Sequence, residues 1–120
     1  MDERFLRTEM LLGPQAMERL AAAHVAVFGL GGVGSWCAEA LARPGVGALT
    51  LVDPDTVGLN NLNRQVEANR STLGQPKAQA MADRIRDIKP DCRLTNRAEK
   101  YEAGRREDFY DQPLDYIVDC

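Results

Sequence analysis

The sequence of 120 residues predicts an α/β fold in which a parallel sheet is flanked by helices, and three observations lead to it. Apolar runs rich in β-branched residues alternate with segments of helical periodicity, which is typical of parallel strands joined by helical crossovers. A glycine-rich turn, "GLGGVG", separates the first such strand from the first crossover helix. The composition, 44% hydrophobic, suffices for the modest core of one ordinary domain.

The first half of the chain predicts a helix, a strand, a second helix and a second strand. Pro14 is tolerated in a first helical turn, and the apolar spacing after it predicts a helix over about 14–23. "HVAVFG" (24–29) is a continuous apolar run, typical of a central strand buried on both faces. "VGSWCAEALAR" (33–43) has helical spacing and ends before a Pro-Gly pair, and "ALTLVD" (48–53) is the next strand. The helical connection makes these two strands parallel, with a right-handed crossover.

The second half begins with a long polar loop. "PDTVGLNNLNRQ" (54–65) contains too many Asn, Gly and Asp residues for a regular element and predicts a loop of the kind that carries function. Residues 77–89 have one apolar face at helical spacing and precede a proline, which predicts a helix. A third strand is predicted at "CRLTN" (92–96), a short helix or loop at "AGRREDFYD" (103–111), and a fourth strand at "LDYIVDC" (114–120).

Composition and charge exclude several classes of protein. There is no run of eighteen apolar residues and the N-terminus is charged, so neither a membrane span nor a signal peptide is indicated, and we expect a cytoplasmic location. Cys37, Cys92 and Cys120 are odd in number and form no CxxC pair, which favours reduced thiols over disulfides or a zinc site. A net charge of -3 argues against wholesale nucleic-acid binding, although arginines between Arg64 and Arg106 leave a local basic surface open.

The glycine turn predicts a nucleotide site. Gly29, Gly31 and Gly34 fit G-x-G-x-x-G, with a strand before the pattern and a helix after it. In such turns the first glycine allows the tight bend, the second lets the backbone approach phosphate, and the third lets helix and strand pack closely. Asp53 ends the second strand, where a carboxylate can accept hydrogen bonds from ribose hydroxyls. This pattern does not choose between NAD and ATP.

The loop that follows Asp53 favours ATP. A flexible ammonium and a planar guanidinium near a phosphate site suit a triphosphate whose charge grows as pyrophosphate leaves, whereas hydride transfer has no comparable requirement. The alternative is that these side chains are solvated surface charges. The candidate residues in and after the loop are Asp55, Asn61, Arg64, Gln65 and Lys77.

Several motifs together carry a resemblance to a known family. "GLGGVGS", "GVGALTLVD", "NLNRQ" and "GQPKA" resemble the ThiF, MoeB and ubiquitin-activating superfamily of adenylating enzymes, and the likeness covers nearly the whole chain. "RFLRTEMLLG" and "AMERLAAAHVAVFGLGGVGSWCAEALAR" most resemble the tRNA threonylcarbamoyladenosine dehydratase branch. We therefore expect an N-terminal helical arm, residues 1–23, and a Rossmann-like ATP-binding domain, residues 24–120. A domain rarely finishes inside a buried strand, so this is expected to be the N-terminal portion of a larger ThiF-type domain, inactive alone.

The resemblance implies a reaction. A substrate carboxylate attacks the α-phosphate of ATP, which gives an acyl adenylate and releases pyrophosphate. In the dehydratase branch the carboxylate belongs to threonylcarbamoyladenosine in tRNA, and its activation allows cyclisation with net loss of water. The alternatives are adenylation of the C-terminus of a ubiquitin-like sulfur-carrier protein, a non-catalytic nucleotide-binding module, and, least favoured, an NAD-binding redox domain.

The resemblance also implies roles for individual residues. A homodimer is implied, in which Arg7 reaches across to the ATP site of the partner, and Mg²⁺ accompanies ATP. The family's magnesium-associated aspartate comes just after the motif that "IVDC" begins, so no metal ligand is assigned and Asp119 is not given that role. The remaining assignments place Gly29, Gly31, Gly32 and Gly34 around the nucleotide, Asp53 on the ribose, Asn61, Arg64 and Lys77 on the phosphates, and Asp55 and Gln65 beside them.

Overall fold

Four parallel strands form the centre of the structure, a computed structural model that describes residues 2–110 and 112–120. Their spatial order is β3-β2-β1-β4. Residue 111, the end of the predicted segment after the third strand, and Met1 of the predicted arm lie outside the described residues. The strands are β1 (His24–Phe28), β2 (Ala48–Val52), β3 (Arg93–Arg97) and β4 (Tyr116–Asp119).

Burial follows the apolar runs of the sequence. All five residues of β2 are buried, and β1 pairs with β2 on one side and β4 on the other, so that Val25 lies opposite both Leu49 and Tyr116. The prediction of a central first strand is confirmed. In contrast, β4 exposes 71% of Tyr116 and 51% of Ile117. Cys92 precedes β3 and Cys120 follows β4, so the prediction that both lie inside strands is wrong by one residue each.

Two helices precede the sheet, one more than the sequence predicts. Gly13, with φ of 87°, separates α1 (Leu6–Leu12) from the predicted helix, α2 (Pro14–Ala22). A 3-10 turn, Glu3–Phe5, leads into α1. Met10 and Leu11 of α1 are exposed by 72% and 83%. The apolar residues of α1 therefore do not form the core-facing stripe by which a helix is predicted from sequence.

The remaining helices cover the sheet. α3 (Gly34–Ala42) connects β1 to β2, α4 (Lys77–Ile88) connects β2 to β3, and α5 (Arg106–Phe109) precedes β4. The larger core side chains come from the sheet, the glycine turn and α4, and each full burial of this kind contributes about 1.5–3 kcal/mol. They are Val27, Leu30, Leu49, Leu51, Met81 and Ile85.

Aromatic side chains extend the packing at the end of β1. The ring centroids of Phe28 and Tyr101 are 5.3 Å apart, and those of Tyr101 and Phe109 are 5.2 Å apart, both in edge-to-face geometry. Such pairs add to the stability that burial of the rings provides. They anchor the segment that contains α5 against the sheet. No helix within residues 2–110 and 112–120 is long and apolar enough to cross a membrane.

The topology defines where a ligand can bind. The chain runs from β1 outward through β2 to β3 and then returns to place β4 on the other side of β1. The order therefore reverses beside β1, and the carboxyl ends of the parallel strands meet there. In open α/β sheets, ligands bind in the crevice at this switch point.

Candidate functional site

The glycine turn leaves the carboxyl end of β1 at this switch point. Gly29 has φ of 92° and its N–H donates to the carbonyl of Val52 (2.8 Å). A Cβ at Gly29 would lie 2.5 Å from the carbonyl oxygen of Cys120, and one at Gly34 would overlap the carbonyl oxygen of Gly29. Both positions therefore exclude any side chain, as the motif predicts.

The outer side of the turn is open. Within the described part of the chain, the N–H groups of Gly31, Gly32 and Val33 have no acceptor, and no side chain caps the start of α3. A Cβ at Gly31 would meet nothing closer than Gln65 Nε2, at 3.8 Å. Free amides at a helix N-terminus form an anion-binding site, because the helix dipole adds to their partial positive charge.

Asp53 ties the end of β2 to this turn. Its carboxylate is 6% exposed and accepts the N–H of Leu30 (2.7 Å) on Oδ2 and the N–H of Asp55 (2.8 Å) on Oδ1. Each oxygen retains a second lone pair, so a ribose hydroxyl is compatible with these contacts. The exposed Asp55 in turn accepts the N–H of Lys77 (2.9 Å) on its carbonyl, which fixes the start of α4 beside Asp53.

The loop after Asp53 is held against the glycine turn by Ser35, a residue that the sequence analysis did not single out. The Ser35 hydroxyl donates to the carbonyl of Gly31 (2.6 Å) and accepts the N–H of Val66 (3.2 Å). Gln65 lies next to the turn, with its Nε2 3.8 Å from the position of a Cβ at Gly31, and is 5% exposed. Its Oε1 is buried and has no hydrogen-bond partner among the described residues. An unsatisfied buried amide oxygen fits a site that is completed by a ligand group that donates a hydrogen bond.

Asn61 and Trp36 both make hydrogen bonds to the backbone of the loop after Asp53. Asn61 was assigned to the phosphates, but its Oδ1 accepts the N–H of Gly58 (2.7 Å), which stabilises the loop itself. Trp36, in α3, is 52% exposed, and its Nε1 donates to the carbonyl of Arg64 (2.8 Å).

The three predicted cations, Arg7, Arg64 and Lys77, have different surroundings. The aliphatic part of Arg64 lies against Gly32, with Cγ 3.3 Å from the position of a Cβ there, but the guanidinium donates to Asn60 and Asn63 of its own loop, both at 2.9 Å. A rotation of the side chain would turn it toward the amides. Arg7 lies on the exposed surface of α1, and no hydrogen bond or ion pair joins it to another described residue.

Lys77 is the one of these three predicted cations whose side chain is largely buried. It is the first residue of α4 and only 7% exposed. Among residues 2–110 and 112–120, no carboxylate oxygen lies within 4.0 Å of its ammonium and no hydrogen bond is made to it. The side chain is thus largely buried while its ammonium has no partner among the described residues, and a positive charge held in this way favours an anionic ligand.

A buried carboxyl group that the sequence analysis missed, that of Glu67, is influenced by the charge of Lys77. Glu67 is 1% exposed, and neither of its carboxylate oxygens has a hydrogen-bond partner among the other residues that the structure describes. Burial raises the pKa of Glu67 to about 7, while the charge of Lys77 lowers this pKa and the charge of Asp53 raises it. Nothing in the sequence near Glu67 indicates burial, because it depends on how the loop packs against distant elements.

The described residues do not supply a metal site. No three of their His, Cys, Asp or Glu side chains are grouped so as to hold a metal ion. The carboxylate of Asp53 is engaged with backbone amides, and that of Glu67 is buried. These two carboxylates do not fit the open, water-rich coordination that Mg²⁺ prefers.

Comparisons with known proteins give three close likenesses. The family model described as "ThiF family" matches residues 5–120. The tRNA threonylcarbamoyladenosine dehydratase of Bacillus subtilis is 47% identical over 117 residues, which cover 98% of this chain and 46% of the relative. The molybdopterin-synthase adenylyltransferase of Salmonella typhimurium is 43% identical over 81 residues, covering 68% of this chain and 32% of the relative.

A solved structure matches the fold. The E. coli tRNA N6-threonylcarbamoyladenosine dehydratase in complex with ATP has a TM-score of 0.95 and 44% sequence identity, and the match covers 98% of this chain and 49% of that chain. The chain thus spans about half or less of the length of the relatives it matches.

Proposed function

This chain belongs to the ThiF family, and on that premise we propose that the protein uses ATP to adenylate a substrate carboxylate. One observation carries the proposal: the open amides of Gly31, Gly32 and Val33 and the unpaired ammonium of Lys77 lie at the same end of the sheet. NAD would use the amides alone, whereas a triphosphate uses both features.

The arrangement suits transfer of an adenylyl group. A carboxylate oxygen of the substrate attacks the α-phosphorus of ATP, a P–O bond forms, and the bond from the α-phosphorus to the bridging oxygen of pyrophosphate breaks. The amides of the glycine turn hold phosphate oxygens in place. Lys77, and Arg64 after rotation of its side chain, neutralise the charge that gathers on the departing pyrophosphate. Asp53 is placed to hold the ribose.

The substrate carboxylate is proposed to be that of threonylcarbamoyladenosine in tRNA. The Bacillus subtilis relative of that name is similar over almost the whole chain, whereas the molybdopterin-synthase adenylyltransferase matches a shorter part. The acyl adenylate then cyclises, AMP leaves, and the net change in the substrate is loss of water. The alternative substrate is the C-terminal carboxylate of a sulfur-carrier protein. Because ATP and tRNA are cytoplasmic reactants, we propose a cytoplasmic location.

The two substrates are separated by one assay. The full-length protein that contains this chain is incubated with ATP and either tRNA that carries threonylcarbamoyladenosine or a carrier protein ending in Gly-Gly, and AMP release is followed. We expect AMP and the cyclised nucleoside to form when the tRNA is the substrate, and no AMP release when the carrier protein is the substrate. AMP release or adenylate formation only with the carrier would favour the alternative. ATP binding without turnover of either substrate would indicate a non-catalytic nucleotide-binding module.

Mg²⁺ is proposed to arrive as the counter-ion of the triphosphate. A hard cation of this kind is coordinated by phosphate oxygens and water and keeps few protein ligands. The cation therefore needs no carboxylate cluster in this part of the chain.

We propose that two copies of the protein form a homodimer through the helical arm, residues 1–23. α1 presents Met10 and Leu11 to solvent, and Trp36 in α3 and Leu59 in the loop after Asp53 are exposed by 52% and 72%. Exposed apolar groups of this kind mark protein interfaces. Arg7, on the same helix, would then reach the nucleotide site of the partner.

The Arg7→Ala variant is expected to lower ATP–pyrophosphate exchange about 10- to 100-fold without dissociating the dimer, because one phosphate-binding cation is removed from each site. Mixing this variant with Lys77→Met should restore part of the activity. In the mixed dimer, the Arg7→Ala subunit keeps its own Lys77 and receives the partner's Arg7. Arg19→Ala, on the neighbouring helix, is the matched control. A stable mixed dimer without recovered exchange would contradict the role of Arg7.

A further inference from the structure

The buried carboxyl group of Glu67 is influenced by the charge of Lys77, whose side chain is largely buried, but the two groups do not form an ion pair. Glu67 is 1% exposed and Lys77 is 7% exposed, yet no ion pair within 4.0 Å joins them. The backbone carbonyl of Glu67 accepts the hydroxyl of Thr72 (2.7 Å), which holds this part of the loop, while both carboxylate oxygens lack partners. Neither the Glu67 carboxylate nor the Lys77 ammonium is therefore held by a hydrogen bond or ion pair to another residue that the structure describes.

The other charged groups that face Glu67 are already engaged. Asp53 accepts two backbone N–H groups, and the Arg84 guanidinium donates to the buried carboxylate of Glu39. Among the groups that influence Glu67, Lys77 alone therefore has a charged end free to respond to a change at this carboxyl. The same ammonium is the one that we assign to the phosphates.

We propose that Glu67 is a positioning residue for Lys77: a charged Glu67 carboxylate draws the ammonium inward, and a neutral Glu67 carboxyl leaves it available to the phosphates of a bound nucleotide. The change in the position of the Lys77 ammonium depends only on the charge of Glu67 and needs no nucleotide. Its consequence for the phosphates rests on the proposed function.

The direction of the pH effect follows from the charges. The pKa of Glu67 lies at about 7, so the carboxyl is largely neutral at pH 6 and largely charged at pH 8.5. A bound triphosphate adds negative charge and draws Lys77 away, and both changes favour the neutral carboxyl. Triphosphate binding therefore takes up a proton at Glu67. By linkage, the affinity for ATP contributed by this pair is highest at low pH and falls as pH rises through about 7.

The first test needs no nucleotide. The ¹³Cε resonance of Lys77 in the full chain, assigned by its absence in Lys77→Arg, is followed from pH 5.5 to 9, together with the ¹³Cδ resonance of Glu67. Both signals are expected to shift at a common midpoint near the pKa of Glu67, and the shift of Lys77 should be absent in Glu67→Gln. Separate midpoints in the wild type, or an unchanged Lys77 titration in Glu67→Gln, would overturn the proposal.

The second test measures ATP affinity by calorimetry. The ratio of the wild-type Kd to the Kd of Glu67→Gln is expected to rise about tenfold from pH 6 to 8.5. This ratio cancels the ionisation of ATP itself, and AMP, which lacks the terminal phosphates, should give a flat ratio. Asp87→Asn, which removes an exposed carboxylate from α4, is the control and should follow the wild type.

The outcomes separate the two proposals. A flat ratio with ATP bound normally would overturn the positioning role of Glu67 and leave the adenylating function intact. An absence of ATP binding at every pH would overturn the proposed function, and the titration of Lys77 in the free protein would then decide whether Glu67 positions it.

Discussion

The Lys77→Met variant is expected to lose at least about 100-fold in ATP–pyrophosphate exchange while keeping its fold, since removal of one group that stabilises charge in the transition state typically costs this much. Methionine preserves the buried aliphatic stem at the start of α4 and deletes only the ammonium. Exchange of labelled pyrophosphate into ATP measures the loss, and thermal unfolding followed by circular dichroism measures the fold.

The matched control is Lys89→Met. Lys89 is 5% exposed and lies at the other end of α4, where its ammonium pairs with Asp91 at 3.5 Å, far from the glycine turn. This variant is expected to lose stability and to keep exchange within about threefold of the wild type, because no phosphate contact is removed. Equal losses of exchange in the two variants would refute the specific role of Lys77.

The Gly34→Ala variant is expected to lose more than about 4 kcal/mol of unfolding free energy, the range of the most severe point mutations. A Cβ at this position would overlap the carbonyl oxygen of Gly29, so the turn or the start of α3 must move. In Gly31→Ala the added methyl meets nothing closer than 3.8 Å, so stability should change by less than about 1 kcal/mol. Urea denaturation of both variants measures the difference.

The same pair of variants separates folding from binding. Gly31→Ala places a methyl group beside the open amides, which should weaken ATP binding at least about tenfold because phosphate can no longer approach the backbone. Calorimetric titration with ATP measures this effect in a protein that remains folded. Normal ATP affinity in Gly31→Ala would mean that phosphate does not approach the turn at this glycine.

Much of the fold could be predicted because its signals are local. β1 and β2 are continuous apolar runs, and α4 carries Met81 and Ile85 on the face that the spacing predicts. α1 could not be predicted in this way, since Met10 and Leu11 are largely exposed and its apolar residues form no stripe that faces the core. The superfamily resemblance and the Rossmann-like α/β fold are confirmed.

The site could be predicted only where a motif dictates backbone geometry. The motif identifies Gly29 and Gly34 because their positions exclude any side chain. It does not give the direction of the Arg64 guanidinium, which depends on hydrogen bonds within the loop, or the burial of Glu67, which depends on long-range packing. The ligand roles of the individual residues stay predictions.

The most direct test of the account is a crystal structure of the full chain with α,β-methylene-ATP, which cannot release pyrophosphate. We expect phosphate oxygens within hydrogen-bond distance of the amides of Gly31 and Gly32, with the Lys77 ammonium against the same triphosphate. A nucleotide bound at the glycine turn with Lys77 still directed toward Glu67, or a nucleotide bound elsewhere, would contradict the claim that the turn and this lysine form one triphosphate site.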